Sequence, residues 1–272
     1  MPKTIIESGR ANSLYWSDLW RYRELFAFLS WRDILVRYKQ TTMGVAWAIV
    51  RPVLTMVVFT IVFGKLAKMP SGGVPYPILV FSAMLPWQFF ASSLAEASNS
   101  LVTNANMVAK VYFPRMVLPF SSVMVSFVDL LISFVILCAM MVWYDIWPTW
   151  RFIALVPLTA IAFMCSFAAG LWFSALNVEY RDFRYVVPFI VQFGLYVSPV
   201  GFSSAVVPEK WRLLYSLNPM VGVIDGFRWA IADSETALYW PGFAISTAMV
   251  GILLVAGLFY FRRMERTFAD VI

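Results

Sequence analysis

Residues 116–143 read MVLPFSSVMVSFVDLLISFVILCAMMVW, and the one ionisable side chain among them is Asp129. About 20 mostly apolar residues cross the hydrocarbon core of a bilayer, so this run reads as a transmembrane helix. A carboxylate at that depth is costly. Asp129 should therefore face the bundle interior or a water-filled path. The plainer reading is an interhelical hydrogen bond that only stabilises the bundle. Working outward, five further apolar stretches stand at Met43–Gly64, Pro77–Ala95, Phe152–Leu176, Val186–Ser203 and Gly242–Phe261. The expected fold is an all-α membrane protein with six transmembrane helices. Pro188 and Pro199 interrupt the fifth of these stretches, which can bend back before fully crossing.

Composition agrees. Hydrophobic residues make up 61% of the chain and charged residues 13%, against about half and a quarter in soluble domains. With no histidine, neither a zinc site nor a His-based nucleophile is expected. Cys138 and Cys165 lie in apolar runs and read as small hydrophobes. MPKTIIESGR at the start lacks the apolar core of a cleavable signal, so the first span is expected to direct insertion. The net charge of +6 does not point to nucleic acid, because the cations flank the spans. With both termini in the cytoplasm, fourteen of the 21 Lys and Arg fall inside and six outside, Arg51 lying within a span. That bias fits the positive-inside rule.

The segments between spans carry more specific patterns. Tyr15, Leu19, Tyr22, Phe26 and Leu29 recur at helical spacing, which suits an amphipathic helix in the membrane interface. Ser30-Trp31-Arg32-Asp33 has the form of a capping box and predicts a second helix starting there. That helix carries Arg32, Arg37 and Lys39 either as a positive-inside anchor or toward an anionic lipid head group. The loop EASNSLVTNANMVAKVYFPR (96–115) predicts a short helix with Leu101, Met107, Val108 and Val111 on its apolar side, ended by Pro114. NVEYRDFRY (177–185) alternates in charge, as a solvated loop or a partner contact. VPEKWRLLYSLNPMVGVIDGFRWAI (207–231) predicts two short amphipathic helices broken at Asn218-Pro219, as packing or as an outer gate.

Arg51-Pro52 interrupts the first span, where the proline should kink the helix. Gln88 and Gln192 are milder polar intrusions. Phe89, Phe193 and Tyr196 lie inside spans and suit the apolar faces of sugar rings, although packing or lipid contact explains most such aromatics. The chain has no phosphate-binding loop. Phe63-Gly64-Lys65 lacks the upstream glycine and the following Ser or Thr. Any ATP hydrolysis must come from another polypeptide.

Four segments together carry a resemblance: WRDILVRYKQTTMGVAWAIVRPVLTMVVFTIVFGKLAK, FSAMLPWQFFASSLAEASNSLVTNANMVAKVYFPR, SALNVEYRDFRYVVPF and VPEKWRLLYSLNPMVGVIDGFRWAI. They resemble the membrane permease subunit of type-2 ABC transporters, in the branch that exports polysaccharides, and most of all the permease for lipopolysaccharide O-antigen. The resemblance covers nearly the whole chain. It implies a homodimer in the bacterial inner membrane, working with two copies of a separate ATPase that binds ATP and Mg. The cargo it implies is a polysaccharide on undecaprenyl diphosphate. Residues 1–42 would hold interfacial and gate helices, and residues 43–272 the six-span permease. By position, the resemblance puts partner-ATPase contacts at Ser100, Asn104, Asn106, Lys110 and Tyr112, and at Glu179, Arg181 and Asp182. Arg32, Arg37, Lys39 and Arg51 are the expected diphosphate-binding cations, since guanidinium offers bidentate contact. Asp129, Phe89, Phe193 and Tyr196 are the expected path residues. No catalytic or metal-binding residue is expected. Exporters of capsule, teichoic acid, a drug or a lipid share this pattern. An intramembrane glycosyl- or phosphotransferase would need clustered carboxylates, which are missing. A non-transporting membrane scaffold is the third alternative, and Asp129 within a span argues against it.

Overall fold

The computed structural model describes residues 19–39, 44–232 and 237–268, all helix or connecting loop. The boundary expected at residue 42 and the predicted interfacial Tyr15 lie outside the described residues. Among the described residues, five helices are long and apolar enough to cross a membrane: Ala46–Leu66, Tyr76–Thr103, Val117–Trp143, Trp150–Glu179 and Trp240–Met264. The chain is a multi-pass membrane protein.

We number the helices in order: α1 Arg23–Lys39, α2 Gly44–Phe59, α3 Tyr76–Thr103, α4 Ala105–Lys110, α5 Val117–Trp143, α6 Leu155–Glu179, α7 Phe183–Val197, α8 Glu209–Tyr215, α9 Pro219–Ile231 and α10 Trp240–Met264. A π-helical turn, Thr60–Leu66, extends α2, and a 3₁₀ turn, Trp150–Ala154, precedes α6. The fifth predicted stretch yields only α7. Its 15 residues span about 22 Å, short of the roughly 30 Å hydrocarbon core, because Pro199 follows the helix end.

Helix α3 is the central element. It is 72% buried over its apolar window, whereas α2 is 11% buried and stands at the periphery. Small residues let the neighbours of α3 approach. A Cβ at Gly170 of α6 would fall 2.8 Å from the Ala97 side chain of α3. Close approach over small residues is how helices associate where lipid is as apolar as the side chains.

One end of the bundle closes over a buried cluster of Leu29, Leu101, Val108, Phe113, Val178, Phe261 and Phe268. The first and last described helices therefore meet at the same end. Asn177 Nδ2 donates to the Ser98 carbonyl at 2.9 Å and ties α6 to α3 there. The Arg115 backbone N–H donates to Glu265 Oε1 at 2.8 Å and ties the loop after α4 to the end of α10.

Two expectations for the N-terminal region are corrected. Helix α1 runs unbroken through Ser30, which is buried, so no helix starts at the predicted capping box. A cap contributes about 1 kcal/mol. Burying Leu29 fully and Phe26 in part against the bundle contributes more, at roughly 1.5–3 kcal/mol for each fully buried apolar side chain. The Tyr22–Phe26–Leu29 face turns to protein, not to a lipid surface: Phe26 makes an edge-on contact with Phe120 at 4.8 Å between ring centres. Helix α1 thus runs alongside α5 from Phe120 toward Asp129.

Candidate functional site

The alignment of α1 with α5 brings separate sequence candidates together. Arg37 Nη2 lies 2.7 Å from Asp129 Oδ2, and the Tyr38 hydroxyl donates to Asp129 Oδ1. Arg37 Nη1 also reaches Glu96 Oε1 of α3 at 3.4 Å. Asp129 sits twelve residues into α5, about 18 Å along its axis. The half-buried carboxylate is therefore paired with a guanidinium and hydrogen-bonded by a phenol, both from the end of α1. Burial, then the hydrogen bond to Asp129, pushes the Tyr38 phenol well above its ordinary range. It stays a donor.

A cavity of about 380 Å³ opens beside this pair. Helix α2 lines it with Trp47, Arg51 and Pro52, α3 with Gln88, Phe89 and Ser92, and α5 with Asp129 and Ser133. Arg37 closes the α1 side, and the Arg51 guanidinium lies 5.9 Å from the Trp47 ring. Two guanidinium groups and one carboxylate thus face one chamber. Such a chamber can accept an anion of more than one charge.

The other candidates scatter. Arg32 pairs with the adjacent Asp33 at 2.7 Å and does not line the cavity. Lys39 is exposed at the end of α1. Phe89 does line the cavity, from a buried layer with Phe127 and Phe163 at 6.1 and 6.2 Å. Phe193 and Tyr196 are exposed on α7, Phe193 stacking on Phe189 at 5.9 Å, away from the cavity. Ser100 is buried inside α3, and its hydroxyl donates to the Ala97 carbonyl, so it offers no surface to a partner. Asn104 closes the end of α3 by donating to the Ser100 carbonyl. Asn106, Lys110, Tyr112, Glu179, Arg181 and Asp182 are exposed at the end of the bundle that carries α4.

The sequence reading missed a second polar assembly at the opposite end. The irregular backbone after α7 has six carbonyls bound by side chains. Tyr215 donates to Val197, Tyr76 to Gly201, and Arg212 to Ala205 and Val207. Arg228 donates to Val200 at 2.8 Å and Phe202 at 2.6 Å, and also to Leu79 in α3. Non-helical backbone within a membrane protein needs such internal partners. Burial lowers the Arg228 guanidinium to about 10, opposed by the nearby Asp225. Burial raises the Asp225 carboxyl, opposed by a bond from Ser204 and by both arginines. An arginine in the apolar run MVGVIDGFRWAI was the available signal.

The sequence profile described as "ABC-2 type transporter" matches residues 24–232, which run from α1 through α9. The chain belongs to the ABC-2 type transporter family. Within this family, two curated Klebsiella pneumoniae proteins named "O-antigen export system permease protein RfbA" are similar to it. One is 26% identical over 250 residues, covering 92% of this chain and 95% of the relative. The other is 27% identical over 256 residues, with the same coverage. A Myxococcus xanthus protein of the same name is 26% identical over 258 residues, covering 94% of this chain and 98% of its own. The ABC-2 match takes in Arg37, Arg51 and Asp129, and also Arg212, Asp225 and Arg228. Both polar assemblies thus lie within the family's shared segment.

Proposed function

We propose that this chain is the transmembrane subunit of an ATP-driven exporter that moves an undecaprenyl-diphosphate-linked polysaccharide, of the O-antigen kind, out of the cytoplasm. The observation that carries the reading is the shared chamber of Arg37, Arg51 and Asp129. A diphosphate needs more than one cation, and guanidinium binds its oxygens in pairs. The names of the relatives, O-antigen export permeases, support the polysaccharide. Two copies of the chain assemble with two copies of a partner ATPase, which holds the ATP and Mg. That partner meets α4 and the loop around Glu179–Asp182.

In this reading the protein sits in the bacterial inner membrane with both termini cytoplasmic. The chain crosses six times, the stretch after Phe183 making the fifth crossing. Support comes from Gly201, whose carbonyl accepts from Tyr76 at the start of α3, while Phe183 follows the end of α6 beside the opposite cluster. The exposed aromatics of α7, Phe193 and Tyr196, line a path between protomers where weak repeated stacking holds a glycan without trapping it. The test is export in cells carrying R37A and R51A together. Surface polysaccharide should be lost while the chain still co-purifies with its ATPase. Normal surface polysaccharide in the double variant would refute the assignment.

A further inference from the structure

Asp129 holds the position that a ligand's anion would take on Arg37. The carboxylate and a phosphate group compete for the same guanidinium edge, since both accept its N–H groups in pairs. The competitor is built in: it lies on α5, faces the chamber, and holds Arg37 at 2.7 Å with Tyr38 as second donor. Arg51 lines the same chamber from α2. An incoming anion therefore meets the repelling Asp129 carboxylate and, besides Arg51, one cation already engaged by Asp129 and Glu96.

We propose that Asp129 acts as a charge filter, resting on the diphosphate reading above: it withholds Arg37 from singly charged phospholipid head groups and yields it to a diphosphate. The logic is the difference of affinities that sets any specificity. A monoanion gains Arg51 alone and faces Asp129. A diphosphate spans the chamber, takes both arginines and outweighs the carboxylate. Displacing Asp129 also frees the end of α1 from α5, because Arg37 and Tyr38 both attach there. Cargo recognition and movement of α1 become one event. The inner leaflet presents monoanionic head groups in large excess, so a site of two bare arginines would be occupied by bulk lipid.

The experiment uses the full chain in nanodiscs of zwitterionic lipid, with the methyl ester of isoprenyl monophosphate (a phosphodiester of one negative charge, called the monophosphate), isoprenyl diphosphate and inorganic pyrophosphate as probes. The unaltered chain should bind isoprenyl diphosphate at least about tenfold tighter than the monophosphate. Asp129→Asn should shrink that ratio to about threefold or less by gaining monophosphate affinity. A ratio unchanged in D129N overturns the filter while leaving the diphosphate reading intact. Loss of neither probe in R51A, or binding of neither by the unaltered chain, overturns the diphosphate reading itself. Excess pyrophosphate should compete with isoprenyl diphosphate, because the site reads phosphate charge. Isoprenyl binding untouched by pyrophosphate would assign recognition to the lipid tail and overturn the filter. A second measurement does not depend on D129N folding. Spin labels at the exposed Leu35 of α1 and Val135 of α5, with the exposed Cys138 replaced by Ser, report the α1–α5 distance. The diphosphate should shift that distance and the monophosphate should not. Identical distances with both probes would overturn the proposal.

Discussion

Replacing Arg228 with Met removes the donor that holds the irregular backbone after α7. The side chain is 8% exposed and bonds three carbonyls, on Leu79, Val200 and Phe202. Met keeps the apolar stem and volume, so packing is preserved and the lost term is polar. An unmade buried hydrogen bond costs about 1–3 kcal/mol. Three would cost up to about 9 kcal/mol if no water entered, and about 3 kcal/mol if water replaced most of them. At roughly 2 °C or more per kcal/mol for a chain of this size, the melting temperature should fall by at least about 6 °C. Hydrogen exchange should locate the damage. Amides of residues 198–207 should lose protection, while those of α3 and α6 below the Ala97–Gly170 crossing keep theirs. Arg228→Lys should fall between, since one ammonium cannot reproduce the planar fork across three acceptors. A melting temperature within 2 °C of the parent, with unchanged exchange in 198–207, would refute the claim that Arg228 supports this segment.

Gly170→Ala should destabilise by about 1–3 kcal/mol through overpacking, because the new Cβ meets Ala97 at 2.8 Å; pairing it with Ala97→Gly should recover most of the loss in a thermal melt. Asn177→Ala removes the donor to the Ser98 carbonyl and Asn99 Oδ1 and should cost about 1–2 kcal/mol, with Asn177→Asp worse because it sets an anion against the Ser98 carbonyl. The Asp225 carboxyl is raised above its ordinary 3.8 by burial, so the folded state binds its proton more tightly than the unfolded state does. Its contribution is then present at low pH and is lost as pH rises from about 4 through the raised value. Melting temperature should decline over that window, and Asp225→Asn should flatten the decline; an equal slope in both proteins would contradict the assignment.

The spans were legible because a long apolar run has one physical meaning, and Asp129 was legible because a lone carboxylate in such a run must be answered by something. What answers it was not legible. Arg37 and Tyr38 lie 92 and 91 residues away in the chain, and they meet Asp129 only because α1 packs along α5. The local signals pointed elsewhere: a capping box at Ser30 and an apolar face suited to an interface. Both were outweighed by burial of Leu29 and Phe26 against the bundle. Ser100 is the complementary case. Its polarity looked like surface, but a helical serine satisfies itself on the carbonyl three residues back and can then be buried without loss. Arg228 was counted as one more outer-side cation, because a count of charges does not see the carbonyls freed by the break at Pro199.

The two polar assemblies also show why residue type alone does not locate a binding site. At the end away from α4, Arg212 and Arg228 give their donors to main-chain carbonyls. A carbonyl of a fixed loop cannot leave, so those arginines are committed to structure, and a ligand could claim them only by unfolding residues 197–207. At the other end, Arg37 is held by the carboxylates of Asp129 and Glu96, with side-chain exposures of 21% and 53%. Carboxylates on separate helices can be exchanged for another anion without orphaning any backbone group. The difference lies in the acceptor, not in the arginine. In the proposed reading, ligand exchange then belongs to the Arg37–Arg51 chamber and rigidity to the segment held by Arg212 and Arg228. A moving part at that segment would have to carry α8, α9 and the bound loop together as one body.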